Sequence, residues 1–409
     1  MSERIDDERD RHGPDHPVAT FEEVNWNEID LDKPSRTRTQ LAWIAVMGTW
    51  TVAVLIDLLS RYAIGSDPFA FPVIGTVTLV GWLWSGTLIV LTFYGIVPLY
   101  ENPRMTNHYW KRFKRNKAAL ISGMFLIVVF IIGIVGSRVL PDAERTPGLE
   151  SQPPVFMSIE RYFVGSQCPG GEYVDDGITM CRGSWEYPLG TTGSGEDILL
   201  LSIHGMEVSM QVGLIATMMS ITVAATVGLT AAYYGGLVDE VLMRYVDLQM
   251  TFPTFFLYLL LAYTIGGSLF VLIMIFGLTG WGAYARIMRS EALQRRQEPY
   301  MMASKSAGAP GSYAMRRHLL PNISNSVITA ATLSIPGIIL AEAAIAFLGL
   351  SEAGIPSWGR VIAVGREHLT SAWWISTIPG IFLFLTILAF NFLGDALRDA
   401  LDPRHGGNE

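Results

Sequence analysis

PYMMASKSAGAPGSYAMRRHLLP, residues 299–321, is a polar, basic, helix-breaking island between two long apolar runs. Pro299 suits the first position of a helix, where no backbone donor is needed. Gly308 ends that helix and Pro310 blocks its continuation, the usual order of glycine past a helix end and proline soon after. The helix so bounded has about nine residues and is roughly 14 Å long at 1.5 Å per residue. A helix this short is marginal alone in water, so it is expected to dock against something. A second short helix from about Ser312 leads to Pro321 and into the next apolar run.

The runs on either side set the class of the whole chain. Hydrophobic residues make up 50% of the sequence and charged ones only 16%, against roughly 25% charged in soluble domains. With a mean hydropathy of +0.34 and repeated apolar runs near the roughly 20 residues that a bilayer requires, the chain reads as a polytopic membrane protein. The first 40 residues hold eleven acids and six bases, which does not suit a cleavable signal peptide, so insertion is expected to use an uncleaved span. A net charge of −8 argues against nucleic acid as a partner, since that would call for a basic face.

The expected organisation runs in order. Residues 1–40 form an acidic tail, 41–100 hold two apolar spans (about 41–60 and 72–98), and 101–140 hold a basic lead-in and a third span. Residues 141–204 are polar and acidic. Residues 205–397 carry five more spans, at about 206–233, 251–266, 269–288, 323–350 and 375–395, with the polar loop at 289–322, and 398–409 form a second tail. Basic loops beside membrane spans stay cytoplasmic. The lead-in holds Arg104, Lys111, Arg112, Lys114, Arg115 and Lys117, and 286–317 holds seven bases against two acids. Both clusters give one orientation: eight spans, both termini cytoplasmic, and 141–204 outside. Asp57 and Arg61, four apart near the end of the first span, are expected to pair on one helix face.

Chemistry-bearing motifs are scarce. None of the five lysines follows a glycine-rich phosphate loop, so ATP binding by that route is excluded and any motor must sit on another polypeptide. There is no HExxH helix, no GxSxG elbow and no Cys-x-x-Cys. No catalytic residue, cofactor or metal site is expected, and the chain is not read as an enzyme. Cys168 and Cys181 enclose the turn-rich CPGGEYVDDGITMC in the acidic region. There a disulfide is favoured over two free thiols, and it would gain roughly 3 kcal/mol in the chain-entropy model. Glu342 lies within IILAEAAIAFLGL, where an ionisable group is costly and faces a cavity or a partner. It is either a pathway or gate residue, or a hydrogen-bonded lock between helices.

The loop resembles the EAA loop of ABC importer permeases, which reads Glu-Ala-Ala, three residues, Gly, nine residues, then Ile-x-Leu-Pro. Ala303, Gly308, Leu320 and Pro321 match it, Met302 and Ser304 replace the Glu and second Ala, and His318 stands at the Ile place. Flanking stretches resemble the C-type permease subunit of dipeptide, oligopeptide and nickel importers. They are WKRFKRNKAALISG (110–123), YPLGTTGSGEDIL (187–199), AAYYGGLVDEVLMRYVD (231–247), GWGAYARIMRSEAL (280–293), HLLPNISNSVITAATLSIPGIILAEAAIAFLGL (318–350), PSWG (356–359) and AFNFLGDALRDALDPR (389–404). The resemblance implies an all-helical type I importer permease bundle, six core transmembrane helices here preceded by two extra ones. It implies a homologous B-type permease as the other half of the pore, two cytosolic ATPase subunits and an extracytoplasmic solute-binding protein. Residues 299–308 would be the helix gripped by one ATPase, with Ala303, Gly308, Leu320 and Pro321 as coupling residues. The solute would be peptides, or alternatively nickel or sugars. A stand-alone secondary transporter is the rival reading. The family's basic residues near the outer mouth are replaced by Glu196 and Glu207.

Overall fold

The computed structural model describes residues 38–64, 70–71, 75–352 and 354–401. Most of the expected acidic tail and the last eight residues therefore lie outside the described residues. The chain divides into two units, residues 1–49 and 50–409. In the first, the described part is the opening of α1 (Arg38–Leu59), helical through Thr49.

In the second unit α1 continues to Leu59, and a two-residue ladder, β1 (Ala70–Phe71) with β2 (Gly75–Thr76), precedes α2 (Leu79–Leu91). The Asp57 carboxylate is fully buried and is the hub of this hairpin. Trp82 Nε1 donates to its Oδ2 at 2.8 Å and Arg61 pairs with it at 2.6 Å. The i, i+4 pairing expected from sequence is present, and the second helix supplies a further donor to it. Val80 and Trp84 of α2 enter an apolar core with Val208, Val212, Leu272 and Ile273, and the Trp84 ring lies 6.0 Å from that of Phe130. The hairpin is thus packed onto the helices that follow.

After α3 (Val97–Glu101) and α4 (Pro103–Phe113) comes α5 (Lys117–Val139), whose start is capped by the Asn116 side chain accepting from the Ala119 N–H. The expected outer region then folds. Strands β3 (Ser158–Glu160), β4 (Glu172–Asp175) and β5 (Ile178–Arg182) form an antiparallel sheet in the order β3-β5-β4. Asp176 and Gly177, both at positive φ, make the two-residue turn between β4 and β5, since Asp175 pairs with Ile178. Asp-Gly is a favoured pair for such turns, because both central residues need left-handed backbone. Cys168 and Cys181 are bonded, with Cα atoms 5.9 Å apart.

Asp197 caps α6 (Ile198–Tyr234) by accepting from Leu199. At 37 residues, α6 is about 55 Å long and overshoots a hydrocarbon core of about 30 Å. The chain continues through α7 (Gly236–Thr251), α8 (Thr254–Ile265), α9 (Leu269–Thr279) and α10 (Gly282–Arg296). The polar loop holds α11 (Pro299–Ser306), α12 (Gly311–Ala314) and α13 (Leu320–Asn322), and α14 (Ser324–Phe347), α15 (Trp358–Gly365) and α16 (Trp374–Leu401) close the bundle. Among the described residues, seven continuous helical stretches are long and apolar enough to cross a membrane. The segment expected as a span at 251–266 differs in shape. There α7 and α8 meet at 64° around Phe252 and Pro253, because the residue before a proline is pushed out of helical backbone; Phe252 sits at φ −83°, ψ 126°.

One prediction concerns the three-stranded sheet. In native membranes without reductant, Cys168 and Cys181 should resist alkylation and become labelled only after reduction, as mass spectrometry of the peptides would read. Quantitative labelling before reduction would contradict the bond.

Candidate functional site

The quoted loop has two chemically distinct faces. Met301, Ala314, Leu319 and Ile323 are buried in a core with Leu229 and Ala232 from α6 and Met288 and Ala292 from α10. Away from Met301 on α11, Met302 is 59% exposed and Ala303 and Ser306 are exposed beside it, with Lys305 exposed at the edge of the buried face. The docking that the short helix requires is therefore met on one face by its own bundle, leaving the other face open. The Tyr300 hydroxyl and the Ser304 Oγ point to the buried side, where neither has a hydrogen-bond partner. Burial pushes the Tyr300 phenol above its ordinary value; Arg295 opposes that rise and Glu298 adds to it.

The end of α11 is fixed by its backbone. The Gly308 N–H donates to Lys305 O and the Ala309 N–H to Ser304 O, the paired bonds of a Schellman cap. Gly308 has φ +75° as that cap demands, and a Cβ added there would meet open space. Gly311 is small for another reason. A Cβ there would come within 2.7 Å of the Tyr233 ring and 3.0 Å of the Tyr234 hydroxyl. The two tyrosines, rings 5.1 Å apart and edge-on, end α6, so the start of α12 rests directly on them. His318 lies with its ring 5.8 Å from Tyr313 and 6.3 Å from Tyr300, joining the two halves of the loop. Leu320 is half-buried and Pro321 exposed, at the entry to α14.

Charged pairs brace this end of the bundle. Arg289 pairs with Asp239 through two nitrogens, and Arg286 pairs with Asp247, clamping α7 against α10. Arg296 donates to the Ala232 carbonyl at 2.9 Å and ties the end of α10 to the end of α6. Sequence reading missed these partners. Asp239, Asp247, Arg286 and Arg289 each sat in a quoted motif, but nothing in either motif says that the two meet, and Arg296 lay outside both.

The other candidate residues lie elsewhere. Glu342 on α14 is 1% exposed and accepts from the Ser209 hydroxyl of α6 at 3.5 Å. Two turns further along, the Thr217 and Ser334 hydroxyls meet at 3.2 Å across the same helix pair. This is the geometry of a polar seam joining α6 to α14. Glu207 pairs with Arg138 at 2.9 Å and Glu196 with Arg145 at 3.5 Å, so both acids have local counter-charges. The disulfide, Glu342 and the loop are not brought into one site. Among the described residues no three His, Cys, Asp or Glu side chains gather as a metal site.

With this geometry in view, comparison with known proteins gives consistent matches. Residues 224–406 match the family of the binding-protein-dependent transport system inner membrane component, and residues 105–154 match the N-terminal TM domain of oligopeptide transport permease C. The dipeptide transport system permease protein DppC of Bacillus subtilis (strain 168) is 31% identical over 303 residues, covering 73% of this chain and 86% of the relative. The oligopeptide transport system permease protein OppC of Haemophilus influenzae is 30% identical over 295 residues, 72% of this chain and 87% of the relative. The di/tripeptide transport system permease protein DppC of Pseudomonas aeruginosa is 29% identical over 310 residues, with 75% and 95% covered.

The packing at Gly311 yields a test of how the loop is seated. Gly311→Val should force Tyr233 and Tyr234 apart and loosen the loop, so that trypsin cuts at Arg316 or Arg317 at least several times faster. Gly311→Ala should give a smaller effect of the same sign. Equal cleavage in all three proteins would contradict the contact.

Proposed function

This chain belongs to the binding-protein-dependent transport system inner membrane components, and from that premise we propose that it is the permease subunit of an ATP-driven peptide importer. The observation that carries the reading is the two-faced loop, with Met301, Ala314 and Leu319 keyed into α6 and α10 while Met302, Ala303 and Lys305 stay open. The open face docks in a cleft of a cytosolic ATPase subunit. Force applied there by ATP-driven closure passes through the buried face to the ends of α6 and α10, rocking the spans between inward and outward openings. The chain does no covalent chemistry.

A B-type permease supplies the other half of the pathway, and two ATPase subunits drive the pair. A solute-binding protein delivers peptides on the side of the 141–204 region. Both termini and the loop at 289–322 lie on the cytoplasmic side. The relatives' names favour peptides over nickel or sugars. Glu342 acts as a lock between α6 and α14, whose hydroxyl partner would have to release if that seam opens during transport. The rival secondary transporter needs ionisable groups free to bind a coupling ion in the spans. Here Asp57 is engaged by Arg61 and Trp82, and Glu342 by Ser209.

Replacing Gly308 with Val places a β-branched residue in left-handed backbone, at a cost on the order of 1–2 kcal/mol. Because the space around it is open, the damage should stay within the loop. In proteoliposomes holding the whole transporter, Gly308→Val and Ala303→Trp should each cut peptide uptake and transport-stimulated ATP hydrolysis about tenfold or more, while the permease pair still purifies intact. Wild-type uptake and ATPase association in both variants would overturn the coupling assignment.

A further inference from the structure

The coupling reading gives no role to α4, yet its surface is unusual. At 100° per residue, Met105, Tyr109, Phe113 and Trp110 fall on one face, and Arg104, His108, Lys111 and Arg112 on the other. In a soluble protein the apolar face would be covered. Here Met105 is 56% and Trp110 46% exposed, Tyr109 and Phe113 are only half-buried, and no residue of the helix is buried.

Its tethers fix where such a face can go. The span that includes α2 and α3 ends at Glu101 and the next begins at Lys117. A single residue, Asn102, separates α3 from α4, and the Thr106 hydroxyl donates back to Leu99 O at 2.6 Å, closing the elbow. On the other side, residues 114–116 lead into the Asn116 cap of α5. Linkers of one and three residues reach at most about 10 Å. Both ends of α4 are therefore held at the level where two spans leave the membrane.

The charges select which lipids it meets. Lys114 and Lys117 extend the basic face past the helix end, and Lys114 Nζ lies 5.0 Å over the Trp110 ring. Among the described residues Arg104, Lys111 and Lys117 have no carboxylate partner. The helix also sits at the same end of the bundle as the coupling loop. Near its far end, α5 packs Gly133 on Met206 and pairs Arg138 with Glu207, so the start of α5 lies by the end of α6 that anchors the loop.

We propose that α4 lies in the headgroup layer of the bilayer, its aromatic face toward the acyl chains and its basic face binding anionic phospholipid headgroups. An amphipathic helix with aromatic and cationic faces binds such a surface through buried apolar area and electrostatic attraction together. The surface then holds the elbow between the N-terminal hairpin and the bundle at a fixed depth.

The test uses the assembled transporter in nanodiscs of phosphatidylcholine alone or with phosphatidylglycerol added. Both native cysteines are bonded, so spin labels can be placed singly at Met105→Cys and at Asn107→Cys, on opposite faces of α4. The Met105 label should be relaxed mainly by oxygen and the Asn107 label mainly by a water-soluble nickel complex. Native mass spectrometry should find phosphatidylglycerol preferred by the unaltered protein. That preference should fall roughly tenfold or more in Arg104→Gln/Lys111→Gln/Lys117→Gln, since each charge near an anionic surface matters severalfold. It should be kept in Arg104→Lys/Lys111→Arg/Lys117→Arg. Equal nickel access to both labels, a Met105 label shielded from both reagents by another subunit, or an unchanged lipid preference in the glutamine variant would each overturn the proposal. If the glutamine variant does not assemble, the labels on the otherwise unaltered helix decide the matter.

Discussion

Everything the loop can do follows from the burial of Met301, Ala314 and Leu319 between the ends of α6 and α10. A short helix has little stability of its own. Bound only to a partner, it would peel away from the bundle when pulled. Anchored on one face, it becomes part of the two helices it rests on, and a push on its open face moves them. The Schellman cap at Gly308 and the tyrosine seat under Gly311 serve the same end. They fix where α11 stops and where α12 starts, so the open face is presented in one orientation.

The bracing around that anchor is polar, which fits its place at a membrane boundary. Inside hydrocarbon every backbone group must be satisfied internally, and charges are expensive. At this end of the bundle guanidinium–carboxylate pairs hold α7 to α10 without a full desolvation cost. Deeper in, the contacts change to hydroxyls: Ser209 with Glu342, and Thr217 with Ser334. The N-terminal hairpin is the exception, a buried Asp57 satisfied by one arginine and one indole.

What was legible in the sequence was what local chemistry fixes. Pro299, Gly308 and Pro310 gave the bounds of α11 because capping depends on a few neighbouring residues. Apolar runs gave the membrane spans, and Asp57 with Arg61 gave an i, i+4 pair. Cys168 and Cys181 could be placed in one acidic region, but the sheet register around them was not foreseen, although Asp176-Gly177 is a hairpin signal. The bend at Pro253 was likewise signalled and not used. The buried face of the loop was beyond reach for a different reason. Its partners Leu229 and Ala232 on α6 lie far off in sequence, and no periodicity in eight residues distinguishes Met301, which is buried, from Met302, which is not.

That adjacent pair offers the most direct measurement of the account. A photoreactive amino acid placed singly at Met302 or at Met301 in the assembled, resting transporter would report what each face touches. The two-faced loop predicts an adduct with the ATPase subunit from position 302, and adducts only within this chain from position 301. ATPase adducts of equal yield from both positions, or from neither, would contradict it.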